Sequence, residues 1–130
     1  MVGGGDTAME DATFLSKFAG KVSIVHRRDE FRASAIMLQR AIDADNIELL
    51  TPYVVDRFEP GENGSLSKAV LRNVEDDSRR ELPITGAFVA IGHRPNSQLV
   101  EDQLDVDPNG YVEVLGRSTK TKLPSSSIPT

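Results

Sequence analysis

Three consecutive glycines, Gly3 to Gly5, stand directly before a helical pattern and constrain the fold of this chain more than any other feature. The apolar residues that recur at three- and four-residue steps are Ala8, Ala12, Leu15 and Phe18 or Ala19. This periodicity predicts an amphipathic helix with one buried stripe. Asp6 or Thr7 can serve as its N-cap, and Gly20 is expected to end it.

The spacing Gly3-x-Gly5-x-x-Ala8 is that of a phosphate-binding turn at a strand–helix corner. The first glycine permits a tight bend, and the second lets a pyrophosphate approach the backbone. The small third residue lets the helix and the strand pack closely. The helix N-terminus offers free N–H groups and a partial positive charge to an anion. Taken alone, the same spacing also fits a purely structural corner.

The order of the remaining elements predicts the fold class. Buried strands are expected at residues 22–25 and 47–50, and a helix between them at residues 33–44. An antiparallel meander is then predicted from three stretches, "YVVDRFE", "LSKAVLRNV" and the weaker "RRELPI". A last buried strand is predicted at "GAFVAIG". We therefore predict an α/β fold: a Rossmann-like domain with a parallel sheet and an antiparallel β-meander insertion.

The second strand ends in His26, Arg27 and Arg28, and Arg32 follows four residues on. In NAD enzymes an acidic residue that binds the ribose stands about 20 residues after the glycine turn. Arginines there would instead accept a 2′-phosphate through forked contacts. Two such arginines at about 1.5–2 kcal/mol each predict a preference for NADPH over NADH of roughly a few hundredfold. A solvated charge run at a helix start is the alternative interpretation.

Composition excludes several classes of function. The chain has no cysteine, which excludes disulfide scaffolds, thiolate zinc sites and thiol chemistry carried by these residues. A net charge of −5 argues against a nucleic-acid or anionic-membrane partner. The two histidines and the aspartates near residue 105 lack ligand spacing, so no metal site is predicted. No export signal or membrane span is evident, so a cytoplasmic location is expected.

The residues after Gly92 differ in character. "LDVDPNGYVEV" predicts a hairpin that turns at Asn109-Gly110, and residues 119–130 lack periodicity and are expected to be mobile. We therefore divide the chain at residues 1–92 and 93–130. Because only Met1 and Val2 precede the glycine turn, the first and central strand is expected to be truncated. The chain is thus expected to be a fragment with a marginal, aggregation-prone fold.

Three stretches occur in the order "GGGDTAMEDATFL", "IVHRRDEFRAS" and "AFVAIGHRPN". Together they closely resemble the NADPH domain of bacterial-type (low-molecular-weight) thioredoxin reductases, from Val2 to about Pro124. In that family the domain is inserted in an FAD domain, and electrons pass from NADPH through FAD to a CxxC disulfide and on to thioredoxin. The resemblance implies NADPH for this chain, and FAD, thioredoxin and a homodimer partner for the intact enzyme.

The resemblance also implies roles for individual residues. The arginines would hold the 2′-phosphate with His26 beside the adenosine, and the residues from Gly5 to Thr7 would lie along the pyrophosphate. Glu10 would lie toward the nicotinamide, and the end of the last strand would close the site. The full set of candidate cofactor-binding residues is Gly3, Gly5, Asp6, Thr7, Glu10, His26, Arg27, Arg28, Arg32, Ile91 and Gly92.

Departures from the family pattern limit what this chain is expected to do. The family's CxxC motif and N-terminal FAD segment lie upstream of the glycine turn, and "SSSIPT" replaces its "GVFAAGD" run. Residues 93–130 would form the interdomain crossing and part of an FAD-domain hairpin. No catalytic residue is predicted, and the chain alone is expected to bind NADPH at best. The alternatives are a fragment of a thioredoxin-reductase-like ferredoxin–NADP reductase and a stand-alone NADPH-binding regulatory module.

Overall fold

The computed structural model describes residues 1–121, in which the chain divides into two compact units at Gly92. The first unit contains both α-helices and all five strands, and the second begins at His93. Most of the end that was expected to be mobile, from Lys122 onward, lies outside the described residues.

The first helix, α1, spans Asp6–Leu15 and buries Ala8, Met9 and Ala12. Ala8 and Ala12 belong to the predicted apolar stripe, whereas Phe18 at its predicted end is 76% exposed. Its N-cap is Gly5, so the predicted cap at Asp6 or Thr7 was wrong. The helix also ends earlier than predicted. The Nδ2 of Asn46 donates hydrogen bonds to the carbonyl oxygens of Ser16 (2.8 Å) and Ala19 (2.9 Å). Because these bonds satisfy carbonyls just past the helix end, the chain leaves the helix before Gly20.

The second helix, α2, spans Ala35–Ile42, inside the predicted range of 33–44. Ser34 is its N-cap, and Ala41 is its fully buried residue. No helix in residues 1–121 is long and apolar enough to cross a membrane.

The parallel sheet is built around the first residues of the chain. β1 (Val22–Val25) pairs in parallel with β2 (Ile47–Leu50), as predicted. Val2 forms parallel bridges with Val25 on one side and Val89 on the other. The central strand is therefore reduced to one paired residue, in agreement with the expected truncation, and the order across the sheet is that of a Rossmann-like half-sheet.

The predicted buried strand at "GAFVAIG" was wrong. Val89 makes a single bridge, and the side chains of Phe88, Val89 and Ile91 are 53%, 62% and 64% exposed. The segment is held by two hydrogen bonds, from the Val2 N–H to the Phe88 carbonyl and from the Ala90 N–H to the Val2 carbonyl, both 2.8 Å. The neighbouring central strand offers only one paired residue, so a longer ladder of hydrogen bonds cannot form.

The antiparallel meander contains the three strands that the sequence predicted. They are β3 (Tyr53–Pro60), β4 (Leu66–Asn73) and β5 (Arg79–Pro83), with β4 in the middle. The Gly61 N–H donates to the Ser65 carbonyl (2.8 Å) and closes the connection between β3 and β4.

Two apolar clusters place the elements of the first unit in layers. On one face of the parallel sheet, Val22 and Ile24 pack with Met9 and Ala12 of α1 and with Ala41 of α2. On the other face, the side chains of β1 and β2 pack against the meander. That second cluster consists of Val25, Leu50, Ala69, Leu71 and Leu82. Successive strand residues point to opposite faces, so the short sheet is covered by helices on one side and by the meander on the other.

The second unit is a short helical turn followed by a hairpin. A 3-10 helix spans Ser97–Leu99, and Val106 bridges Val112 in antiparallel pairing. The Asp107 carboxylate accepts the N–H groups of Asn109 (2.8 Å) and Tyr111 (2.9 Å). The predicted turn is confirmed, although its strands are reduced to single bridges. The aspartate is occupied in holding the turn, as Asx turns do.

Asn46→Asp is expected to destabilise the first unit by about 1–3 kcal/mol, because it replaces a donor to two carbonyls with a carboxylate. Asn63→Asp is the matched control, since the Asn63 Oδ1 accepts the Ser65 N–H at 3.0 Å and a carboxylate can do the same. Urea unfolding of both variants would check this. Equal losses of stability in the two variants would contradict the attribution of the loss to the two hydrogen bonds that Asn46 donates.

Candidate nucleotide-binding site

Gly3 bends the chain from the central strand into α1. Its φ is +149°, a region that residues with a side chain rarely adopt. A Cβ at Gly3 would overlap the carbonyl oxygen of Ala90 and would lie 3.1 Å from the Ala8 Cβ. Only glycine fits there, and the small side chain of Ala8 permits the close approach of helix and sheet, as the motif requires.

Gly4 contacts the ring of His26, a contact that the sequence analysis missed. A Cβ at Gly4 would lie 2.5 Å from the His26 Nδ1 and 2.6 Å from its Nε2, so the ring occupies the space of a side chain. In the sequence, the only indication of this contact was that Gly4 lies inside a run of glycines. The glycine turn therefore rests directly on the end of β1.

Gly5 differs from the other two glycines. Its φ of −99° suits any residue, and a Cβ there would meet no atom within 4 Å. In the part of the chain that the structure describes, no side chain caps α1, which leaves N–H groups of its first turn available. Neither sterics nor backbone strain requires a glycine at this position, and the open space lies where an anion would reach the helix N-terminus.

The loop that carries the arginines is hydrogen-bonded to the glycine turn. The carbonyl oxygen of Gly4 accepts the N–H groups of Arg32 (2.8 Å) and Ala33 (3.0 Å). Two motifs that lie more than twenty residues apart in the sequence thus meet through backbone hydrogen bonds. This agrees with the interpretation of the two motifs as parts of one site.

Arg27, Arg28 and Arg32 are exposed, and within residues 1–121 no ion pair or side-chain hydrogen bond engages their guanidinium groups. Most other arginines of the first unit form ion pairs with carboxylates. These are Arg57, Arg72, Arg79 and Arg80. The three loop arginines therefore present unneutralised positive charge beside the glycine turn.

His26 is a buried side chain with 8% exposure. Its Nε2 donates to the carbonyl oxygen of Glu30 (3.2 Å), and its ring stacks on Phe31 with centroids 5.1 Å apart. Burial lowers the pKa of His26, and the bond to Glu30 opposes this shift, while the charges of Arg32, Arg27 and Arg28 lower the pKa further. The neutral ring therefore supports Gly4 and Phe31 from within the protein.

The acidic candidates lie along α1. The Asp6 carboxylate accepts the N–H of Ser34 at 2.6 Å. Asp6 and Glu10 line a groove of about 440 Å³ between the two helices, together with Met37 and Arg40 of α2. Thr7 is exposed in the first turn of α1. The placement of Glu10 toward a nicotinamide remains a prediction.

Ile91 and Gly92 follow Ala90, whose carbonyl lies against Gly3. Ile91 is exposed, and Gly92 has a φ of +98° that favours glycine. The end of this segment and the glycine turn therefore lie next to each other in the first unit. Their closing role around a cofactor remains a prediction.

The free energy of unfolding of the first unit is expected to decrease as the pH is lowered below about 6.5. The reason is that the pKa of His26 is lower in the folded chain than in the unfolded chain. In that range the unfolded chain binds the proton more readily, so acid favours unfolding. His26→Phe keeps a ring and removes the titration, and should flatten the pH dependence of urea unfolding between about pH 5 and 7. His93→Gln, in the second unit, is the control. The same flattening in that variant would contradict the assignment to His26.

Residues 1–125 match the model of the pyridine nucleotide-disulphide oxidoreductase family. The chain is 50% identical over 125 residues to the bifunctional thioredoxin reductase/thioredoxin of Mycobacterium leprae, and the matched region covers 95% of this chain and 26% of that protein. It is 48% identical over 123 residues to the thioredoxin reductase of Mycolicibacterium smegmatis, with 95% and 39% covered. The crystal structure of Lactococcus lactis thioredoxin reductase is similar with a TM-score of 0.79 at 31% identity, over 95% of this chain and 40% of that one.

These matches confirm the resemblance to thioredoxin reductases and the Rossmann-like fold that it implied. The chain spans 26% to 40% of the length of these relatives. The family model covers nearly the whole sequence. The chain therefore belongs to the pyridine nucleotide-disulphide oxidoreductase family.

Proposed function

We propose that this chain is the NADPH-binding module of a thioredoxin-disulfide reductase. One observation carries the proposal. The Gly4 carbonyl holds the loop of three unpaired arginines beside the open N-terminus of α1. A ligand with two separate anionic groups fits this arrangement, because a pyrophosphate suits the helix end and a phosphate monoester suits the guanidinium groups.

In this proposal the chain binds and orients the cofactor. The open space at Gly5 admits the pyrophosphate to the N–H groups of α1, and Arg27, Arg28 and Arg32 hold the 2′-phosphate. NADPH supplies the hydride when it is bound. His26 contributes through its buried ring, which packs against Gly4 and Phe31; its place beside the adenosine stays a prediction.

The assignment of the pyrophosphate to α1 and not to α2 follows from which backbone N–H groups are already engaged. At the N-terminus of α2 the N–H of Ser34 is already bonded to the Asp6 carboxylate. A second anion there would find that donor engaged. Within residues 1–121, no side chain caps the N-terminus of α1.

The remainder of the reaction rests on family membership. Transfer to FAD, to a CxxC disulfide and on to thioredoxin, within a homodimeric cytoplasmic enzyme, is proposed for the protein in which this module acts. The sequence contains no cysteine and no "GVFAAGD" run, so its residues do not fit the redox thiols or the flavin-binding acid. No redox step is therefore assigned to them.

The double substitution Arg27→Ala/Arg28→Ala is expected to weaken NADPH binding by roughly a few hundredfold, because two charge-assisted contacts to the 2′-phosphate are lost. NADH lacks that phosphate, so its binding should change little. Calorimetric titration of the 130-residue chain with each nucleotide, at low and moderate salt, measures both. Arg57→Ala/Arg79→Ala is the control, since both of these arginines pair with carboxylates of β3. Equal affinity of the unmodified chain for NADPH and NADH would overturn the proposal.

Two glycine substitutions separate folding from binding. Gly5→Ala should leave the free energy of unfolding within about 0.5 kcal/mol, since its φ is ordinary and its surroundings are open, yet weaken NADPH binding at least about tenfold. Gly3→Ala should lose about 1–3 kcal/mol of stability from strain and overlap. Urea unfolding and titration of both variants check this. Unchanged NADPH binding in Gly5→Ala would contradict the placement of the pyrophosphate.

A further inference from the structure

The Asp6 carboxylate lies at the junction of the two helices. It belongs to the first turn of α1, yet its Oδ1 accepts the N–H of Ser34, the N-cap residue of α2, at 2.6 Å. Ser34 itself makes no side-chain capping bond. Asp6 therefore satisfies, from another helix, the backbone N–H of the N-cap residue, as the acidic residue of a capping box does, and a carboxylate is well suited to a helix N-terminus.

This bond completes the attachment of the arginine loop. The loop runs from the end of β1 to the start of α2, and hydrogen bonds hold it at three places in the first unit. His26 contacts the Glu30 carbonyl, Gly4 binds the N–H groups of residues 32 and 33, and Asp6 binds that of Ser34. Two of these three attachments come from the glycine turn and its helix, so the turn sets where the loop lies.

We propose that Asp6 is a positioning residue that determines the preference for NADPH over NADH, by fixing Arg32 and the adjoining loop relative to the N-terminus of α1. This inference rests on the proposed function. A carboxylate one residue after Gly5 would repel a pyrophosphate, and the bond to Ser34 gives its charge a partner at the α2 N-terminus. Asp6 thus acts through the loop, and its effect falls on the 2′-phosphate end of the ligand.

The experiment compares Asp6→Ala, Asp6→Asn and the control Asp11→Ala, which changes an exposed aspartate of the same helix. Titration of the 130-residue chain with NADPH and NADH gives the ratio of the two dissociation constants. Asp6→Ala should reduce the preference for NADPH by about tenfold, the value of one charge-assisted hydrogen bond. Asp6→Asn retains an oxygen acceptor and should keep most of the preference. Asp11→Ala should match the unmodified chain.

A second measurement does not depend on nucleotide. Amide hydrogen exchange at Ser34, Arg32 and Ala33 should be faster in Asp6→Ala, and close to that of the unmodified chain in the other two variants. Unchanged exchange at Ser34 overturns the inference whether or not nucleotide binds. An unchanged ratio of dissociation constants in Asp6→Ala overturns it too. A third outcome is that the unmodified chain binds NADPH no better than NADH while the exchange result is as expected. That outcome overturns the proposed function and the specificity role of Asp6, but it establishes the hydrogen bond between Asp6 and Ser34.

Discussion

The carbonyl oxygen of Gly4, which accepts the N–H groups of Arg32 and Ala33, joins the glycine turn to the arginine loop. The ring of His26 occupies the space that a side chain at Gly4 would need. Backbone bonds of this kind leave little freedom in distance or direction. Because of them, an anion-accepting helix end and a cluster of unpaired guanidinium groups lie side by side, and the proposed recognition of NADPH depends on that proximity.

The parallel sheet explains why these groups meet. β1 leads into His26, the Met1–Val2 segment leads into the glycine turn, and the segment around Val89 leads into Ala90. These three segments run in the same direction, so their carboxyl ends reach one edge of the sheet. Ligands of open α/β sheets bind at that edge. The meander packs on one face of the sheet and the helices on the other.

Where the sequence-based predictions failed, longer-range contacts decided the outcome. The apolar stripe predicted α1 correctly up to Leu15, but the side chain of Asn46 binds the carbonyls that follow and ends the helix early. The apolar run around Val89 was predicted as a buried strand, yet its neighbour in the sheet offers one paired residue. Strand pairing depends on what lies beside a segment, and a single-sequence pattern does not contain that information.

Sequence patterns alone predicted the class of fold, the meander, the glycine turn and the arginine cluster, because these follow from periodicity, turn chemistry and charge along a short stretch of chain. It also carried the three motifs on which the family resemblance rested. Packing between separate segments makes His26 a buried support, leaves no room for a side chain at Gly4 and brings Asp6 to the N-terminus of the second helix. Each of these depends on atoms brought together from separate segments within a few ångströms, and such contacts exist only once the sheet and helices have packed.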